Sequence, residues 1–221
     1  MASSANSDIF TPLRLRMVEA QLRARGIVDG RVLDVMSRVP RHEFTSVGYR
    51  DQAYEDHPLP IGEGQTISQP YIVALMLELL GIKSTDTVLE IGTGSGYATA
   101  LLAELAAQIV SLERHAALAN HARELLLRMG CTNVSVIAGD GSQGYAASAP
   151  YHAILVSAAA SEVPPMLLAQ LAEGGRMVIP VGNADTQQLQ LIQMRNGHPR
   201  TTLRELCRFV PLLSGVEPTA S

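Results

Sequence analysis

Apolar residues recur at helical spacing along the first forty positions. Leu15, Val18 and Leu22 share one face of a helix that Thr11-Pro12 opens and Gly26 can end. Val32, Val35, Met36 and Val39 form the stripe of a second helix, begun after Asp29 and stopped by Pro40. From Arg41 to Gln69 this periodicity lapses, and Pro58, Pro60, Gly62 and Gly64 mark a long loop. Loops of that length in compact domains are usually functional or disordered, and Tyr49, Tyr54, Leu59 and Ile61 argue against disorder. Helical spacing returns at Pro70 to Leu80, through Val73, Met76, Leu77 and Leu80, with Gly81 as the stop.

Beyond Gly81 short β-branched apolar runs alternate with helix formers. The pattern predicts strands at 87–91, 108–112, 134–137, 153–157 and 176–181, and helices at 97–106, 115–129 and 164–172. Such alternation specifies a doubly wound, mostly parallel sheet with helices on both faces, an α/β fold. The tail differs, since 187–194 and 203–210 read as strands joined by a turn at Asn196-Gly197, so antiparallel C-terminal strands should finish the sheet. The expected organisation is a small N-terminal helical cap with a covering loop over residues 1–80 and a core over 81–221, together one compact domain. The polar first ten residues and the stretch from Glu217 to Ser221 are expected to be mobile.

Composition narrows the function classes. A chain of 221 residues, 47% hydrophobic, can bury the core of one sizeable domain. Its net charge of -4 lacks the basic footprint of a nucleic-acid binder. No uncharged stretch approaches the roughly 20 apolar residues of a membrane span. Cys131 and Cys207 form no Cys-x-x-Cys motif, and the six histidines show no metal-ligand spacing. A cytoplasmic protein without metal, nucleic-acid or membrane partners is expected, with a monomer as the default.

The chemistry is concentrated at Asp86-Thr-Val-Leu-Glu-Ile-Gly-Thr-Gly-Ser-Gly-Tyr97, a buried strand running into glycines at alternate positions. Without Cβ atoms the backbone at Gly92, Gly94 and Gly96 can lie against a ligand, and a helix starting at Tyr97 aims its free N–H groups there. The dinucleotide fingerprint places its third glycine three positions after the second, whereas Gly96 follows Gly94 by two, which weakens a nicotinamide-dependent oxidoreductase. No Gly-Lys-Ser or Gly-Lys-Thr follows, so the phosphate loop fails as well. Glu90, Gly92, Thr93, Gly94 and Gly96 instead resemble the nucleotide loop of class I S-adenosylmethionine-dependent methyltransferases.

In a doubly wound sheet, ligands lie across the carboxyl ends of the strands. Glu113 ends the second strand some 20 residues past the first glycine, where a carboxylate can accept both hydrogens of a ribose diol; its structural alternative is a charge favouring the next helix dipole. Asp140, between two glycines, can accept from an adenine amino group while Gly141 lets the base approach, or it can serve a plain Asp-Gly turn.

Tyr54-Glu-Asp-His-Pro-Leu-Pro-Ile-Gly-Glu-Gly-Gln-Thr-Ile-Ser-Gln-Pro-Tyr71 is similar to the signature of the protein-L-isoaspartate O-methyltransferases. The likeness extends through Met17 to Ile27, Leu89 to Tyr97, Ala138 to Gly141, Val156 to Ala160, Leu171 to Gly182 and Arg208 to Leu212. The resemblance implies a Rossmann-like class I methyltransferase fold and methyl transfer from S-adenosylmethionine, leaving S-adenosylhomocysteine, to the α-carboxylate of L-isoaspartyl residues in damaged proteins and peptides. It further implies that Ser68 is the active-site residue; Thr66 and Ile67 are expected to border the cofactor and Gln65, Ser68 and Ile61 to meet the substrate, with simple core burial as the alternative for Ile61. A class I methyltransferase acting on another carboxylate or a small molecule is the alternative, and a non-catalytic recognition protein a further one. Ser68 could also be simply the N-cap of the helix that follows. Tyr71, His57 and His42 are weaker candidates for any catalytic role. His152 departs from the family pattern, which has Asp before the strand, and is expected to perturb hydrogen bonding only locally.

Overall fold

The computed structural model describes residues 9–217. Helix α1 (Phe10–Met17) continues through a π-helical turn at Val18–Leu22 and a 3-10 turn at Arg23–Arg25 to Gly26. The π turn adds a residue per winding and rotates the inward face. Met17, Val18 and Leu22 are buried, while Leu15, expected to share that face, is 49% exposed. Helix α2 (Gly30–Arg38) buries Val32, Leu33, Val35 and Met36. Asp29 caps it, accepting from the amides of Arg31 at 2.8 Å and Val32 at 3.3 Å, a contribution of about 1 kcal/mol.

The segment expected as an aperiodic loop holds structure. Two 3-10 stretches (Arg41–Phe44 and Val47–Gln52) precede an antiparallel pair, β1 (Leu59–Gly62) and β2 (Gln65–Ile67). The turn between them places Glu63 at φ +51° and Gly64 at φ +67°. Helix α3 (Pro70–Leu80) follows. Its N-cap is Gln69 rather than Ser68. The free N–H of Tyr71 donates to Asp56 Oδ1 at 3.3 Å, and Asp56 also accepts from the Gln69 side chain at 2.7 Å.

The core then alternates as predicted: β3 (Thr87–Ile91), α4 (Tyr97–Leu105), β4 (Gln108–Glu113), α5 (Ala116–Arg128), β5 (Val134–Ala138), β6 (Tyr151–Val156), α6 (Pro165–Leu168), β7 (Leu171–Gly182), β8 (Gln187–Arg195) and β9 (His198–Cys207). The seven-stranded sheet has the order β5-β4-β3-β6-β7-β8-β9, parallel as far as β7 and antiparallel through β8 and β9. Two bounds shift. The helix expected over 164–172 is confined to Pro165–Leu168, because Leu171 already pairs with Tyr151 as the start of β7. The last strand begins directly after the Asn196-Gly197 turn and ends at Cys207, which leaves 208–210 outside the sheet.

Alternate strand residues feed two hydrophobic clusters on opposite faces. Val88, Ile109 and Leu155 join the cap, α3, α4 and α5 in one cluster; Leu89, Ile91, Leu112, Ile154 and Met177 join α6 in the other. Cap and core therefore share a single apolar interior on one face of the sheet. His152 sits at the strand starts, away from the carboxyl ends, where its Nδ1 accepts the Thr87 amide at 3.0 Å and ties β6 to β3.

Residues 1–8 and 218–221 of the ends expected to be mobile lie outside the described residues. Glu217, grouped with them, is held: its carboxylate pairs with Arg114 Nη1 at 2.9 Å and His115 Nδ1 at 3.0 Å.

Candidate active site

Strand β3 has β4 on one side and β6 on the other, so strand order reverses at its carboxyl end, where doubly wound folds bind ligands. Gly92 and Gly94 stand there at φ +90° and +53°, conformations that side-chain-bearing residues rarely adopt. Gly92 N donates to Leu112 O at 2.8 Å, which pins the loop to the end of β4.

Beneath the loop lies a polar network. Ser111 and Thr99 each donate a hydroxyl to Glu90 Oε2 at 2.6 Å, and Thr93 Oγ1 bonds Ser111 Oγ. Glu90 is fully buried and its Oε1 has no partner among the described residues; burial pushes its carboxyl up to about 7. The structure thus places Glu90 under the glycine loop as its support, off the cavity wall. Gly96 also faces inward, with Ala122 and Leu126 of α5 closing within 3.5 Å of the place a Cβ would occupy.

Two small cavities flank the loop. One, of about 60 Å³, is lined by Gln65, Thr66, Ile67, Ser68, Gly92, Thr93, Gly94, Glu113 and Ser157, among others. The second, of about 80 Å³, is walled by Ile91, Leu112, Gly141, Ala158 and Leu212 together with Glu113, Arg114 and His115. They meet at Gln65, Gly92, Glu113 and Val210. Glu113 stands at that border, where its Oε2 accepts the Gly94 amide at 2.8 Å and its Oε1 the His115 amide at 3.0 Å. Asp140 sits beside Gly141 and is bound locally, by the amide and hydroxyl of Ser142 and the Gly215 amide at 2.8 Å. Burial raises its carboxyl, but these bonds outweigh it and hold the group below the ordinary range.

A third cavity, of about 380 Å³, opens on the other side of Ser68 and shares Thr66, Ser68, Ser157 and Val210 with the first. The Ser68 hydroxyl has no protein partner among the described residues, while its carbonyl accepts from Arg41 Nη2 at 2.8 Å. Arg41 is fully buried, also donates to Ala53 O at 2.7 Å, and lies over the Tyr97 ring; burial lowers its guanidinium to about 10.

Ile61 is not on the wall beside Ser68. It packs against Gly94 and lines a separate cavity with Phe44, Arg50 and His121. The weaker candidates are engaged elsewhere. His42 stacks on Phe10 and bonds Tyr54, His57 pairs with Glu55 in solvent, and Tyr71 lies under the Arg25 guanidinium at 3.5 Å. Ser157 and Val210 were not anticipated. Ser157 follows the carboxyl end of β6, the strand beyond the switch point, so applying the strand-end rule to that strand would have found it. Val210 carries no such signal, because it follows an antiparallel strand and reaches the site only through Ala159 N, which donates to its carbonyl at 2.8 Å.

The donor set fits an S-adenosyl sulfonium. The Glu113 carboxylate stands where the cavity over the Cβ-free loop meets the second cavity, and Asp140 is next to Gly141 of that second wall. Comparison with known proteins agrees. A Koribacter versatilis protein-L-isoaspartate O-methyltransferase is 54% identical over 213 residues, covering 96% of each chain. One from Methanoculleus marisnigri is 57% identical over 201 residues, covering 90% of this chain and 91% of its own. A solved Plasmodium falciparum protein described as a protein-L-isoaspartate O-methyltransferase, in complex with S-adenosyl-L-homocysteine, superposes with a TM-score of 0.79 at 30% identity, covering 90% of this chain and 98% of that one. The sequence model of one family spans residues 14–217, from the cap to the end of the described chain, so the fold, the glycine loop and the Ser68 segment fall within a single match and the chain belongs to the protein-L-isoaspartate (D-aspartate) O-methyltransferase family.

Proposed function

We infer that this protein transfers a methyl group from S-adenosylmethionine to the α-carboxylate of L-isoaspartyl residues in damaged proteins and peptides. The ester collapses to a succinimide, and hydrolysis returns part of the chain to normal aspartyl linkage. One observation carries the reading beyond family membership. Ser68 borders both the cavity over the glycine loop and the larger cavity beside it, so one hydroxyl touches the spaces where donor and acceptor would meet.

The cofactor supplies a methyl group activated on a sulfonium. An α-carboxylate with an ordinary pKa near 3.3–3.7 is already ionised at neutral pH, so no residue need remove a proton. In keeping with this, no histidine lines either cavity that Ser68 borders. The protein's task is orientation, which can lower a barrier by several kcal/mol. Ser68 donates its free hydroxyl to the carboxylate, Arg41 fixes the Ser68 backbone, and Glu113 accepts from the ribose. Ligand pockets for groups of this size are about 300–1,000 Å³. The residues of the two small cavities, which meet at Gln65, Gly92, Glu113 and Val210, would hold the cofactor.

We read the protein as a cytoplasmic monomer whose partners are isoaspartyl proteins and peptides, not nucleic acid. Its net charge of -4 speaks against a nucleic-acid partner, and its two free cysteines suit a reducing compartment. The decisive experiment measures labelled methyl incorporation into an isoaspartyl peptide and its aspartyl counterpart. Labelling of the first alone is expected; equal labelling of both, or of neither, would overturn the assignment.

A further inference from the structure

The large cavity beside Ser68 has one permanently charged side chain on its wall, Arg208. No acidic residue lines this cavity, and the Arg208 guanidinium has neither a hydrogen bond nor an ion pair among the described residues. Arg23, Arg25, Arg38, Arg50 and Arg114 are each paired with a carboxylate, whereas the Arg208 guanidinium is free to take one from a ligand.

The backbone that carries Arg208 is fixed on both sides. Cys207 ends β9 in register with Gln187. The buried Gln187 side chain then clamps the next residue but one, accepting the Phe209 amide at 2.6 Å and donating to its carbonyl at 3.0 Å. Ala159 in turn accepts the Leu212 amide at 2.7 Å and donates to Val210 O. Arg208 thus projects from an anchored stretch, outside the sheet, at the cavity that Ser68 borders. A guanidinium stays charged at any physiological pH and matches a carboxylate with two parallel N–H donors.

We propose that Arg208 binds the free carboxylate of the isoaspartyl residue beside Ser68 and sets the preference for anionic substrate over neutral product. This rests on the reading of the site as an isoaspartyl methyltransferase. The carboxylate oxygen gains the methyl carbon as the C–S bond breaks; the electron pair of that bond stays on sulfur and no proton moves. The substrate group goes from one negative charge to none. A cation held at the wall therefore attracts what must enter and loses its hold on what must leave. Ser68 orients the oxygen, and Arg208 supplies affinity and release.

The test uses the full chain, saturated with S-adenosylhomocysteine, and two peptides that differ only at the isoaspartyl α-position, one carboxylate and one carboxamide. Calorimetry should show the wild type favouring the carboxylate peptide, Arg208→Gln binding both alike, and Arg208→Lys between them. In turnover assays Arg208→Gln should raise KM about 5- to 10-fold, as expected for a charged contact partly screened by solvent, with kcat within about twofold. Affinity for S-adenosylhomocysteine and the unfolding midpoint should stay at wild-type values. Wild-type KM and an intact carboxylate preference in Arg208→Gln would overturn the proposal, as would a wild type with no preference. Failure of the underlying reading is seen separately, as a wild type that methylates no isoaspartyl peptide at all.

Discussion

The guanidinium of Arg41 donates to the backbone carbonyl of Ser68 at 2.8 Å from a position wholly inside the protein. The same side chain holds Ala53 O, so one buried cation ties the 3-10 stretch of the cap to the residue that borders both cavities. Lysine cannot span two carbonyls in this planar geometry. Arg41→Lys should leave one of them unsatisfied and cost about 1–3 kcal/mol in urea unfolding. Because Ser68 would lose its backbone support, kcat should fall while affinity for S-adenosylhomocysteine is retained. Loss of both in equal measure would reduce Arg41 to a general stabiliser.

Ser68→Ala removes a hydroxyl that bonds to nothing among the described residues and caps no helix, since Gln69 occupies the N-cap. Stability should change by less than about 0.5 kcal/mol. A hydrogen bond to a charged group contributes about 1.5–3 kcal/mol, so kcat for an isoaspartyl peptide should fall on the order of 10- to 100-fold. Full activity in the variant, measured by methyl incorporation, would remove Ser68 from its role.

Glu90 gives the protein a pH signature of its own. Its folded pKa, about 7, lies above the ordinary glutamate value, so between roughly pH 4.5 and 7 the folded state binds the extra proton. The stability this provides is fully present below the unfolded pKa and is lost as pH rises through 7, a swing on the order of 3 kcal/mol. Glu90→Gln mimics the protonated form and should flatten urea-derived stability across that window relative to wild type. An unchanged slope would mean that Glu90 ionises in the folded protein as it does in water.

The parallel core was legible because its strands are short apolar runs whose burial depends on local residue type. Thr87 to Ile91 and Gln108 to Glu113 fall within a residue of their expected bounds. The misses share a physical cause, in that tertiary pairing overrode local pattern. Leu59 to Ile67 forms a hairpin although Pro60 and a Glu at positive φ carry no hairpin signal, because β1 pairs with β2 over only a few residues. Leu171 looks like the end of a helix and becomes strand by pairing with Tyr151. At the site, Glu113 and Gly92 could be placed from strand-end position alone. Glu90 could not, since nothing in its spacing says that Thr99 and Ser111 draw it beneath the loop. Arg41 and Val210 reach Ser68 only through folds of the chain that no periodicity records.

The Asn196-Gly197 turn joining β8 and β9 is prone to deamidation by general peptide chemistry, and once damaged it would offer an isoaspartyl site on the protein itself. Deamidation needs the Gly197 nitrogen to attack the Asn196 side-chain carbonyl, with loss of ammonia. Here a single carboxylate holds the backbone: Glu173 Oε1 accepts the Asn196 amide at 2.6 Å and Oε2 the Gly197 amide at 3.0 Å, and these two bonds draw the Glu173 carboxyl below its ordinary pKa. The nitrogen that must attack is therefore engaged in a turn with both central residues at positive φ, +53° and +72°. Glu173→Ala should free it, and peptide mapping of protein aged at neutral pH should find isoaspartate at position 196 accumulating several times faster than in wild type. Glu173→Gln, which keeps an acceptor for only one of the two amides, should fall between. Equal rates in all three proteins would show that the turn itself, and not the Glu173 clamp, protects the bond.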